Sequence, residues 1–225
     1  MKVGILGTGG VGRALAEGFA AKGHDVMIGT RDVDALMARS ESDQLGNPPF
    51  SAWRSGHDGI AVGTFAEAGA HGEMLVNAAS GAGSLDALRA AGAGDVDART
   101  LIDPSNPLDL SGGFPSLFVA VTDSLGERIQ REFPAARVVK AWNTMTARLM
   151  TNPGLIAGGD HSIPIAGDDE DAKRQVVGLL EDFGWRDVVD LGDLAGARAM
   201  EAYLLMWLRL YNATGTPLVN TKVVR

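Results

Sequence analysis

The stretch Val3-Gly4-Ile5-Leu6-Gly7-Thr8-Gly9-Gly10-Val11-Gly12 restricts the fold of this chain more than any other. A short apolar run ends at Gly7, a G-x-G-x-x-G follows, and an alanine-rich stretch from Arg13 to Lys22 has helical character. Gly7 permits the tight turn off the strand, and Gly9 removes a side chain where a pyrophosphate approaches the backbone. Gly12 lets the helix pack close to the sheet, and the helix N-terminus offers free N–H groups and a positive dipole end. In a chain with 30 glycines such a pattern alone means little. Its place between an N-terminal strand and a helix makes it a dinucleotide-binding turn, assigned to Gly7, Thr8, Gly9, Gly10, Val11 and Gly12.

At 225 residues and 45% hydrophobic content, the chain suits one α/β domain with a sizeable core. The expected architecture is a Rossmann-type, doubly wound, mainly parallel sheet with a small C-terminal helical extension. Residues 1–155 are assigned to the dinucleotide-binding domain, and residues 156–225 to a smaller portion packed on it. The net charge of −8 argues against nucleic acid or an anionic membrane as partner. There is no cysteine, so disulfides, thiolate metal sites and cysteine nucleophiles are excluded. The N-terminus runs straight into a core strand, which speaks against a signal peptide, and no apolar run reaches the roughly 18 residues of a membrane span. A soluble, cytoplasmic protein is expected.

Along the chain, Asp25–Gly29 reads as the second parallel strand, and its end decides the cofactor. Thr30 and Arg31 suit the 2′-phosphate of NADP, the arginine pairing with phosphate while stacking on adenine. Asp32 lies where an NAD enzyme places a ribose-binding acid, or it caps a helix over Val33–Arg39. The polar stretch Ser40–Gly59 reads as an irregular surface excursion. Ile60–Gly63 is a short strand, and Met74–Asn77 a strand running into the small-residue loop Ala78-Ala79-Ser80, placed against the cofactor's ribose. Thr100–Asp103 delivers Asn106, held between two prolines, either beside the nicotinamide ribose or as a loop brace. Ala136–Lys140 feeds Ala141-Trp142-Asn143-Thr144-Met145, small and polar groups at a strand's carboxyl end, where ligands bind in open α/β sheets. Lys140 is a possible catalyst or a residue pointing away from the site. Asp168-Asp169 caps the helix Glu170–Phe183. The tail helix around Met200–Tyr211 is apolar over too wide an arc for one packing face, so a homodimer contact anchored by Trp207 and Tyr203 is expected.

These residues together resemble the NADP oxidoreductases that use the deazaflavin coenzyme F420. The resemblance runs nearly end to end, through Gly7–Gly12, Gly29-Thr30-Arg31, Ser105-Asn106-Pro107-Leu108, Lys140–Thr144, Ala166–Asp169 and Ala197–Glu201. It implies direct hydride transfer between NADP(H) and a small-molecule acceptor, F420 or a flavin, with no catalytic side chain and no metal. It places Ala141, Asn143 and Asn106 by the cofactor and Trp142, Thr144, Met145 and Trp207 around the acceptor. Members often carry a lysine shortly after the arginine; here Asp34-Ala35-Leu36 brings no cation, leaving Arg13 or Arg39 for that role. The soluble domain of the six-transmembrane metalloreductases is similar too, so quinones and ferric chelates stay open as acceptors. A dehydrogenase of the β-hydroxyacid or pyrroline type and a non-catalytic NADP(H) sensor are the competing readings.

Overall fold

The structure is a computed structural model that describes residues 1–43, 46–119 and 121–225. The chain opens with β1 (Lys2–Leu6), α1 (Gly10–Ala21), β2 (Asp25–Thr30), α2 (Val33–Met37), α3 (Phe50–Arg54), β3 (Ala61–Thr64), α4 (Phe65–His71) and β4 (Met74–Asn77). It continues through α5 (Ser84–Ala91), α6 (Ala93–Val96), β5 (Thr100–Asp103), the short pair β6 (Leu108–Asp109) and β7 (Ser116–Leu117), α7 (Leu125–Glu132) and β8 (Arg137–Ala141). Then come α8 (Ala147–Met150), β9 (Ser162–Gly167), α9 (Glu170–Asp182), β10 (Asp187–Asp190) and α10 (Gly196–Thr214).

The main sheet has eight strands in the order β10-β9-β8-β5-β4-β1-β2-β3. From β3 to β8 this is the doubly wound order in which two mononucleotide-binding halves meet, with β1 beside β4 at the reversal point. The apolar runs of β1, β4 and β5 are buried on both faces, as central parallel strands require, and β8 is buried too beyond its first residue. One core layer holds Phe19 of α1 with Leu180 of α9, Phe183 and Trp185; the other holds Leu88 of α5, Ile129 of α7 and Leu101.

Residues 156–225 supply the last two strands of the sheet as well as α9 and α10. Their β9 pairs directly with β8, in the antiparallel sense, and β10 runs parallel to β9, so the same sheet continues across residue 155. The excursion expected over Ser40–Gly59 also holds more order than its composition suggests; Gln44 and Leu45 within it lie outside the described residues. Phe50 of α3 is buried, and the Trp53 indole N–H donates to Glu17 Oε1 at 2.5 Å. His57 stacks on Trp53 with ring centres 4.5 Å apart. These apolar rings anchor the loop to α1, which its polar flanks conceal.

Candidate dinucleotide site

The turn after β1 takes the form that the glycine spacing requires. Gly7 has φ 132°, and a Cβ on it would collide with the Ala78 carbonyl; a Cβ on Gly12 would collide with the Gly7 carbonyl. Gly9, at the α1 N-cap, has nothing within 4 Å of an added Cβ. The first turn of α1 has no side-chain cap and no acidic residue. Its N–H groups and dipole therefore face open space, a combination that suits a pyrophosphate.

This turn forms the centre of a cleft of about 440 Å³ lined by Gly7, Thr8 and Gly9, by Thr30, Arg31 and Asp32 after β2, and by Ala78, Ala79 and Ser80 after β4. Gly10, Val11 and Gly12 continue into α1 behind it. Asp32 is the N-cap of α2 and accepts the Ala35 N–H at 2.9 Å. Arg31 and Arg39 line the same cleft. Among the described residues neither guanidinium has a hydrogen bond or ion pair. Arg13 is committed elsewhere: it donates to the carbonyls of Thr8 (2.9 Å) and Pro48 (2.6 Å) and lies over the Phe50 ring. Two free cations, a bare helix N-terminus and a capping aspartate together fit a 2′-phosphorylated dinucleotide.

The strand ends beyond Ser80 are arranged differently from the expectation. Asn106 donates to the Asn143 carbonyl at 2.9 Å, and Asn143 donates to Asn106 Oδ1 at 2.9 Å and to the Met200 carbonyl at 2.9 Å. Asn106 thus braces the loop after β5 against the loop after β8, and neither asparagine lines the 440 Å³ cleft. Asn143 Oδ1 is buried and has no partner among the described residues, an open acceptor at the strand ends. Ala141 is fully buried in the core, so only its backbone is near the strand terminus.

The four residues expected around the acceptor are not brought together. Trp142 is fully buried against Phe19 and Phe183, at ring distances of 6.2 and 6.0 Å. Its backbone has φ 65°, and this left-handed turn directs the ring into the core and away from the site. Met145 is buried in the same core layer. Thr144 lines a separate, mostly apolar cavity of about 250 Å³ with Met200 and Tyr203. Trp207 lies under the chain's own C-terminal segment, its indole N–H donating to the Val219 carbonyl at 2.9 Å. It therefore has little surface left to anchor a second subunit.

Lys140 is wholly buried, with Asp103 Oδ2 at 2.8 Å, Glu201 Oε1 at 2.8 Å and the Ser105 carbonyl at 2.6 Å. Burial opposes its charge, but Asp103 and Glu201 outweigh that and raise its pKa above the ordinary lysine range. Sequence reasoning missed Glu201 as a partner. The available signal was its position: an acid on the inward face of α10 among Ala197, Met200 and Leu204, all buried.

This fold and cleft define a dinucleotide-binding protein of the Rossmann type. A model of the coenzyme F420-dependent NADP oxidoreductases matches residues 2–107. A crystal structure of a candidate F420-dependent NADP reductase from Arthrobacter sp. FB24 is 49% identical, covers 100% of both chains and superposes with a TM-score of 0.96. The chain belongs to this family of NAD(P)-dependent oxidoreductases. Metalloreductase STEAP3 of Rattus norvegicus is 29% identical over 209 residues, 92% of this chain but 37% of that protein, so the chain spans little more than a third of that relative. A hypothetical protein from Sinorhizobium meliloti, 23% identical, shares the fold at a TM-score of 0.67 over 100% of this chain and 96% of its own. Among the described residues no helix is long and apolar enough to cross a membrane.

Proposed function

We propose that the protein is an NADP(H)-dependent reductase passing a hydride to a deazaflavin such as F420 or to a flavin-like ring. The observation that carries the cofactor choice is the unpaired pair Arg31 and Arg39 beside an Asp32 already engaged as a helix cap. In a chain of net charge −8, two guanidiniums lining one cleft and without a partner among the described residues favour an anion there. A bound NADPH supplies hydride at its nicotinamide ring. The chain's part is to hold the phosphates on α1, seat the adenosine at the end of β2 and keep the nicotinamide half against the ends of β4, β5 and β8. The ionisable groups at the ends of β5 and β8, Asp103 and Lys140, are buried and paired with each other. Neither is free to act as acid or base, so the residues work by positioning.

The acceptor is read from the family. The likeness to a metalloreductase makes ferric chelates the second acceptor class to try. We also read the outer side of α10 as a homodimer contact, because Met206 is 55% and Tyr211 38% exposed while the opposite side is buried. An acceptor screen that follows NADPH absorbance with F420, FMN, FAD, quinones and ferric chelates tests the reading. Turnover with NADPH and a deazaflavin or flavin supports it. Tight NADPH binding without turnover of any acceptor would instead support a sensor.

A further inference from the structure

The buried cluster around Lys140 does more than satisfy a charge. Lys140 has three N–H donors, and its three partners come from three parts of the chain: Asp103 at the end of β5, the Ser105 carbonyl in the following loop, and Glu201 on α10. Asp103 Oδ1 in turn accepts from Asn77 Nδ2 at 2.9 Å, at the end of β4, and from the Ser105 hydroxyl at 2.6 Å. Glu201 also accepts the backbone N–H groups of Leu125 (2.8 Å) and Gly126 (3.1 Å), the first residues of α7. One residue earlier, the Met200 carbonyl holds Asn143. A single turn of α10 thus grips the start of α7 and, through Lys140 and Asn143, the loops that follow β5 and β8.

Both carboxylates receive donors only, as ionised groups do. Two anions and one cation leave an excess negative charge, offset in part by the N-terminal dipole of α7. A buried arrangement of this kind gains little net stability over apolar residues of similar size. Stability alone therefore does not account for the cluster, and the geometry points to a further role.

We infer that Glu201 is a positioning residue for the nicotinamide half of the site, acting through Lys140 on the Ser105 carbonyl and so on the loop that carries Asn106. The inference rests on the proposed NADP(H) reading. It makes α10 an integral part of the site, not merely a cover or a subunit contact. Among the described residues no hydrogen bond or ion pair joins Glu201 to β1, α1 or β2, which build the adenosine half, so that half should respond much less than the nicotinamide half when the residue is changed.

The test compares wild type, Glu201→Gln and the double variant Lys140→Met/Glu201→Met. The double variant replaces the ion pair with apolar side chains and leaves Asp103 with its Asn77 and Ser105 donors. Binding of 2′,5′-ADP, which reaches only the adenosine half, should be unchanged in all three. The fluorescence of bound NADPH should shift toward that of free NADPH in both variants. With whichever acceptor wild type turns over, kcat should fall about tenfold or more while KM for NADPH moves less, since small misplacements of reacting groups have large rate effects. Hydrogen exchange should quicken in residues 103–108 and 141–146 and stay unchanged in residues 2–30. A double variant that is stable, with wild-type NADPH fluorescence and wild-type exchange, overturns the inference and reduces the cluster to a structural staple. Equal losses of 2′,5′-ADP and NADPH binding overturn it too. If wild type itself fails to bind NADPH, the functional reading has failed instead, and the exchange pattern still decides whether Glu201 holds those loops.

Discussion

Removing the Lys140 ammonium by Lys140→Met should destabilise the protein by about 3–5 kcal/mol, the range for breaking a buried pair by deleting one partner. The size follows from what is left behind. Lys140 and Asp103 have side chains with no exposure, and Glu201 has 2%. Without the ammonium, two carboxylates share a water-free site and the Ser105 carbonyl loses its donor at 2.6 Å. Methionine fills much the same volume, so the loss is electrostatic and not a cavity effect. Urea unfolding at pH 7, followed by tryptophan fluorescence, measures it from the shift of the midpoint at constant slope. Adding Glu201→Met removes one of the stranded carboxylates but also the acceptor of the Leu125 and Gly126 N–H groups, so it should restore only part of the stability. A loss below about 1 kcal/mol, the size of an exposed ion pair, would refute the reasoning, because it would mean that water reaches the cluster.

Arg31→Ala and Arg39→Ala should each weaken NADPH binding by about 1.5–3 kcal/mol and leave NADH binding unchanged, measured by titration calorimetry; equal weakening of both cofactors would mean that the arginines read something other than the 2′-phosphate. Trp142→Ala should cost about 3–5 kcal/mol in urea unfolding, as large-to-small core changes do, without altering the ranking of acceptors; a changed ranking at wild-type stability would put the ring back in the site. Asp187 is held at a pKa of about 2 by the Ser162 hydroxyl, Lys222 and Arg225. Its folded pKa lies below the unfolded value of about 3.9, so its stabilisation is present above pH 4 and is lost as pH falls toward 2. The protection of the amides of residues 218–225, taken relative to their intrinsic exchange rates at each pH, should therefore fall over that window in wild type, and Asp187→Asn should already show the lowered protection at pH 7.

What the sequence reveals of this protein depends on how local the cause is. The turn at Gly7–Gly12 is set by steric limits within one strand, one turn and one helix, and those limits are visible as glycines at fixed spacing. The same holds for Asp32 and Asp169, whose side chains cap the helices that they precede. The inward direction of Trp142 is not legible in the sequence, because it goes with a backbone φ of 65° that no neighbouring residue announces. The ring takes that strained conformation because Phe19 of α1 and Phe183 after α9 offer it a buried site, and that gain lies far away in the chain. Glu201 and Lys140 show the same limit from the charged side. Each looks like an isolated titratable residue on its own element, and only the sheet order, with β8 next to β5 and α10 laid across the start of α7, makes them partners. A free lysine at a strand end invites a catalytic role. The same lysine with three buried partners is a joint, and the chemistry of the site passes from individual side chains to the loops that the joint holds.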